Sequence, residues 1–239
     1  MYTINHIRSI LKTSITVSPE KAAAFFKTQP GAYGNHDIFM GVSVPTLRVI
    51  AKNVNTLSFQ DLTCLLTSRI NEERLLALIM LVQKYKQGDD DGKEAVYQFY
   101  LTHLDHINNW NLVDASAHLI VGAHLWDKDR GMLEGLTQST NLWHRRIGMV
   151  ATWYFIRKND LTWTFKIAHL LLQDTHDLIH KAVGWMLREA GKKNEADLLD
   201  FLTLYAEKMP RTMVRYAVER LSEEKKQAYK RVRLPSTLT

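Results

Sequence analysis

Residues 161–174, LTWTFKIAHLLLQD, and residues 179–191, IHKAVGWMLREAG, decide the fold between them. In each, apolar residues return at three- and four-residue spacing, which gathers them on one face of a helix. The same pattern appears in NEERLLALIMLVQKY (71–85), WNLVDASAHLIVGAHL (110–125), HRRIGMVATWYFIRK (144–158) and RTMVRYAVERLSEEKK (211–226). An apolar-periodic helix such as LSFQDLTCLLTS (57–68) precedes most of these segments, as 161–174 precedes 179–191. Breakers fall between them at TQPGAYGNHD, QGDDDG, WDKDRG and AGKKN. Strand-like alternation is scarce, so the chain is read as all-α.

These segments, 161–174 aside, start near residues 71, 108, 143, 178 and 210, a recurrence of roughly 32 to 37 residues. Two helices per such period mark a helical-repeat solenoid. The period is slightly short for a HEAT repeat, but the two-helix unit fits. The expected architecture is a right-handed superhelical solenoid of HEAT-like antiparallel helix pairs, a single domain over residues 1–239. Stacked pairs curve, and the second helix of each pair carries Trp110, Asp114, Arg146 and Trp185, so the second helices are expected to line a concave groove.

Composition narrows the class. Hydrophobic residues make up 46% and charged residues 23%, values that fit a globular chain rather than a disordered or fibrous one. No Pro-, Gly- or Ser-rich linker divides it. One cysteine, Cys64, rules out an intramolecular disulfide framework and a multi-cysteine metal site, which points to a reducing compartment; Cys64 itself lies in an apolar stretch and reads as core. The N-terminal stretch has no signal-peptide pattern and no segment reaches bilayer-spanning length, so the cytoplasm is expected, with no membrane partner.

The net charge of +6 and a pI near 9.3 favour an anionic partner. From Glu207 onward nine Lys or Arg face four acids, and a basic C-terminal tail is expected over about 222–239. A basic groove suited to DNA is one reading of this excess, and plain solubility is the other.

Signatures with known mechanics are missing: no phosphate-binding glycine loop, no GxGxxG after a strand and no GxSxG elbow. His176 and His180 have the i, i+4 spacing of metal ligands, but no HExxH surrounds them, and a surface helix is the simpler reading. Asp89, Asp90 and Asp91 lack the EF-hand pattern and read as a solvated loop. No metal and no cofactor is expected.

Three segments add chemistry. In WNLVD, Trp110 and Asp114 stand four apart, so one helical face presents a ring and a carboxylate side by side. In NLWHRR, Arg145 and Arg146 follow an aromatic residue. In HKAVGWMLRE, Trp185 follows Gly184, with Lys181 and Arg188 about one turn to either side. Taken alone, a tryptophan at helical spacing is more often core than catalytic, Asp114 reads as a solvated or salt-bridged acid, and Arg146 as a surface charge.

Together with GVSVPTLR (41–48), the segments NNWNLVD, NLWHRR and AVGWMLRE, in that order, resemble the AlkD family of DNA glycosylases, HEAT-like repeat proteins that excise alkylated purines. The likeness spans most of the chain. It implies a catalytic set of Trp110, Asp114, Arg146 and Trp185, with Arg145 one residue away from the arginine position. It implies further contacts to the DNA backbone from Ser43 and Arg48 in GVSVPTLR, and from Lys181 and Arg188, the last equally able to pair with Glu189. Two positions depart from the family: Asn109 stands where a relative has a second aromatic residue, and Tyr154 where it has a basic one, a contact that Arg157 could replace. Trp126, Trp143, Trp153 and Trp163 are left to the core.

What the resemblance implies is a monofunctional enzyme acting as a monomer on duplex DNA, at the nucleoid when bound. It would hydrolyse the N-glycosidic bond of 3-methyladenine or 7-methylguanine and leave an abasic site. The lesion would be handled from the backbone side, and no deep base-reading pocket is announced by the sequence. The alternative is a non-catalytic repeat protein that binds distorted or branched DNA. A protein-binding helical scaffold is a third reading.

Overall fold

The computed structural model describes residues 3–54 and 57–230. Among these residues the regular structure is helical, apart from one isolated parallel bridge between Ile38 and Ile70. No helix among them is long and apolar enough to cross a membrane. The part of the expected basic tail beyond residue 230 lies outside the described residues. The chain divides into two compact units, Met1–Ser116 and Ala117–Thr239.

The first unit is organised around α5 (Asn71–Gln87), which packs against α3 (Val44–Asn53), α4 (Phe59–Leu66) and α6 (Asp90–Thr102). Leu75, Leu76, Leu78 and Leu81 are buried on several sides of α5, as expected of a helix surrounded by others. The shorter helices begin where the sequence supplies caps. Thr3 caps α1 (Ile4–Thr13), Ser18 with Pro19 starts α2 (Pro19–Ala24), and Ser43 caps α3. Ser58 and Asp61 form a reciprocal capping box on α4. The aspartate run is not a loop: Asp89 caps α6 and accepts from Gly92 N, while Asp90 and Asp91 occupy its first turn, where the helix dipole favours negative charge.

The buried charges at the start of α5 meet partners from distant segments. Arg8 grips Glu73 with two hydrogen bonds of 3.0 Å. Glu72 accepts from Met40 N and Gly41 N, and Arg74 pairs with Asp37. The segment ahead of α3 is thus tied to α5 through carboxylates. Gly41 is needed there: its φ is +91°, and a Cβ would come within 2.0 Å of the Val17 carbonyl oxygen.

The second unit stacks helix pairs. α8 (Gly131–Thr137) packs on α9 (Leu142–Ala151), and α11 (Thr162–Leu170) on α12 (Asp177–Gly191). α12 lies between α9 and α14 (Arg211–Ala217), with α13 (Glu195–Tyr205) also against it. The glycine of the GW pair sets the approach of α12 to α14, because a Cβ on Gly184 would lie 2.5 Å from both Met213 O and Tyr216 Cβ. The five expected second helices begin at residues 71, 110, 142, 177 and 211. The all-helical solenoid pattern of stacked pairs is therefore present.

Three expected helices are interrupted. α7 (Trp110–Ala117) passes into a π-helical turn at His118–Gly122. The 144–158 segment breaks at Thr152, whose hydroxyl donates to Met149 O at 2.8 Å, and resumes as α10 (Trp153–Arg157). The last segment stops at Ala217 and restarts as α15 (Glu223–Lys230). Cys64 is not core: it is exposed, on the side of α4 opposite the buried Leu62, Leu65 and Leu66. Of the four tryptophans assigned to the core, Trp143 is buried, but Trp126, Trp153 and Trp163 are only half-buried.

Candidate active site

The start of α7 is fixed by a buried polar network. Asn109, fully buried, donates through Nδ2 to Asp37 at 2.5 Å and accepts the Trp110 backbone N–H at 2.7 Å. Asp37 also accepts from Asn71 Nδ2 at 3.0 Å and pairs with the Arg74 guanidinium. Asn111 donates to Asn71 Oδ1 at 2.7 Å. An exposed asparagine could not do this. At the position of this departure, the Asn109 side chain thus anchors the helix that carries Trp110.

From that anchored start, helical spacing places Trp110 and Asp114 on one face of α7, and both line a cavity of about 430 Å³ within the first unit. Its wall is aromatic. Phe26 stacks on Trp110 with centroids 5.1 Å apart and planes at 15°, and on its other neighbour, Phe39, at 4.4 Å and 20°. Phe25 meets Trp110 edge to face at 5.7 Å and is 71% exposed. Val17, Val42, Val44 and Leu75 complete the apolar lining, and Glu72 joins Asp114 as a second carboxylate. Nearby, burial pushes the Tyr100 phenol well up, against the pull of its hydrogen bond with Ser116, and the charge of Asp114 adds to the rise.

Phe25 and Phe26 were not legible as site residues. They lie in AAAFFK, just beyond a short alanine-rich helix, with no periodicity to assign them a face. The available signal was that two adjacent aromatics cannot share one helix face, so one had to be exposed or to fold back.

The other expected residues lie mostly in the second unit. Trp185, on α12, is half-buried and meets Trp153 edge to face at 5.0 Å, so Trp153 is its neighbour rather than remote core. Arg146, on α9, is 5% exposed and donates through Nη1 to Leu178 O at 2.6 Å, tying α9 to α12. Arg145 pairs with the buried Asp174 at 2.6 Å and donates to the Ser139 and Thr140 carbonyls. Lys181 bridges to Asp177 at 2.7 Å, holding its carboxyl below the ordinary range. Arg188 pairs with Glu189 and Glu219. Arg157 is exposed at the end of α10, and Arg48 is exposed on α3 of the first unit. Ser43 caps α3 while its hydroxyl lies 2.8 Å from that of Thr46.

His176 has a structural task, since its Nδ1 accepts from Leu178 N and caps α12. Burial lowers its pKa. Among the described residues no three His, Cys, Asp or Glu side chains are grouped to hold a metal ion. In the C-terminal segment Lys225 pairs with Glu195 and Lys226 with Glu223, so part of the local basic excess is neutralised in place.

Comparison with known proteins is consistent with the likeness noted in the sequence. The family model described as DNA alkylation repair enzyme matches residues 16–221. A solved structure named as a predicted DNA alkylation repair enzyme from Enterococcus faecalis superposes with a TM-score of 0.65 at 16% identity, over 86% of this chain and 95% of that one, and so shares its fold. No curated protein matches the chain.

Proposed function

Since the chain belongs to the DNA alkylation repair enzyme family, we propose that it is a monofunctional DNA glycosylase that hydrolyses the N-glycosidic bond of cationic alkylated purines in duplex DNA. 3-Methyladenine and 7-methylguanine are the substrates named by this reading, and an abasic site is the product. The observation that carries it is the pairing of Trp110 and Asp114 on the wall of one aromatic cavity.

A purine alkylated at N3 or N7 already carries positive charge, so its departure needs no general acid. As the C1′–N bond breaks, its electron pair neutralises the base and positive charge grows on the deoxyribose. The Asp114 carboxylate stabilises that charge and orients a water; the water oxygen bonds to C1′ and its proton passes to the carboxylate. Trp110 supports the cationic nucleotide through the negative face of its ring. By resemblance, Trp185 is assigned the same task. By the same resemblance, Arg146 is assigned to a backbone phosphate, and Ser43, Arg48, Arg145, Arg157, Lys181 and Arg188 to further backbone contacts. Arg48 and Arg157 fit that role best, being exposed. The protein would act as a monomer with a basic DNA-binding groove, in the cytoplasm and on the nucleoid.

The test is a duplex with one 7-methylguanine at a defined position. Incubation followed by hot alkali should cut the lesion strand at that position, while omission of alkali should leave it intact. An uncut strand after alkali would refute the glycosylase and leave a DNA-binding relative; cutting without alkali would refute the monofunctional assignment.

A further inference from the structure

We propose that α14 is a further contact to the DNA backbone, with Arg211 and Arg215 each taking a phosphate and the Tyr216 ring supporting the Arg215 guanidinium. This rests on the DNA-binding part of the reading above and extends it to a helix to which the resemblance assigns no residue.

α14 stands one repeat beyond Trp185. A Cβ on Gly184 would lie 2.5 Å from Tyr216 Cβ, so the two helices meet at that level with no side chain between them. Arg188 pairs with Glu219, 31 residues further on, and the same step from Trp185 arrives at Tyr216. A half-buried ring on α14 therefore occupies the place that the half-buried Trp185 has on α12. The strand held at Trp185 has α14 as the next helix on its way.

The charges on α14 are available. Arg211 and Arg215 are exposed and stand four apart, on one side of the helix. Among the described residues neither is joined to a carboxylate. Glu219, the nearest acid to Arg215 along the chain, is engaged by Arg188. The Arg215 guanidinium lies over the Tyr216 ring, 5.7 Å from its centroid, which holds the planar fork ready for two oxygens of one phosphate. Arg145, Lys181 and Arg188 differ, since each is already bound to Asp174, Asp177 or Glu189 and would have to exchange a carboxylate for a phosphate. Arg211 and Arg215 break no ion pair when they neutralise the backbone, so the release of condensed counter-ions is gained in full.

The test is an anisotropy titration of a labelled, undamaged duplex at several salt concentrations, so that no base need be released. Arg211→Ala and Arg215→Ala should each reduce the slope of log K against log salt by about 0.9, and the double variant by about 1.8. Both positions are exposed, so folding is expected to survive these changes. Arg220→Ala removes the same charge from an exposed position beyond α14 and should leave the slope as it is. An unchanged slope in the double variant, or an equal reduction in Arg220→Ala, would overturn the assignment. A reduced slope confined to the α14 variants, in a protein that releases no base, would uphold it and refute the glycosylase alone.

Discussion

Phe26 lies face to face with Trp110, ring centroids 5.1 Å apart and planes at 15°, so a residue from the loop after α2 braces the aromatic residue that opens α7. The relationship makes Trp110 part of a three-ring stack ending on Phe39. It also yields a prediction that separates bracing from contact with the substrate. Trp110→Ala should reduce base release about a hundredfold, whereas Phe26→Leu should cost about 1–2 kcal/mol of stability and a smaller decrease in rate. Urea unfolding alongside single-turnover kinetics checks this, and a Phe26→Leu protein as inactive as Trp110→Ala would contradict it.

Asp37 is the hub beneath that stack. It faces the buried Arg74, Asn71 and Asn109, so Asp37→Ala leaves a buried guanidinium without its counter-charge and should cost about 3–5 kcal/mol. Asn109→Ala should cost about 1–3 kcal/mol, because it strands the Trp110 backbone N–H and removes one of the two amide hydrogen bonds to the same oxygen of Asp37. Chemical denaturation of both variants measures the difference; a neutral Asn109→Ala would show that the network does not hold α7.

Acid should weaken the cap on α12. Burial is the largest cause lowering the His176 pKa below its ordinary 6.5, with Asp174 opposing it. The unfolded chain therefore takes up a proton that the folded chain resists, and stability falls as the pH drops through 6.5 toward the folded value. Protonation also removes the Nδ1 lone pair that accepts from Leu178 N. His176→Asn keeps a capping acceptor without the titration, so the thermal midpoint of this variant should decline less between about pH 7 and about pH 5.5 than that of the wild type. Parallel curves would refute the assignment to His176.

Salt dependence should distinguish the arginines. Arg48 and Arg157 are exposed, and removing either guanidinium from a DNA phosphate should reduce the slope of log K against log salt by about 0.9. Arg145→Ala should act first on stability, since it abandons the buried Asp174. Titration of labelled duplex at several salt concentrations, with thermal melts, checks both. An unchanged slope in Arg48→Ala and Arg157→Ala would remove those two residues from the DNA interface.

The helices were legible because their faces repeat at the helical period, and that period fixed where α5, α7, α9, α12 and α14 begin to within a few residues. Their breaks were not. Thr152 ends α9 through a hydroxyl-to-carbonyl bond, a competition that leaves the apolar pattern of 144–158 unbroken. Trp110 and Asp114 could be placed on one face by counting four residues. Phe25 and Phe26 could not, since their arrival at Trp110 depends on a non-helical loop. The task of Asn109 could not be read for a similar reason: its partner Asp37 lies 72 residues earlier, and no local rule pairs them. The pairing of Arg145 could not be read because its partner Asp174 lies 29 residues further on, whereas that of Arg188 with the adjacent Glu189 could.

The most direct measurement compares wild type with Asp114→Asn on methylated duplex DNA, with the released bases separated by chromatography. Wild type should release 3-methyladenine and 7-methylguanine above background, and Asp114→Asn, isosteric but uncharged, should be slower by about a hundredfold or more while binding duplex as well as before. Release by Asp114→Asn at the wild-type rate would contradict the account.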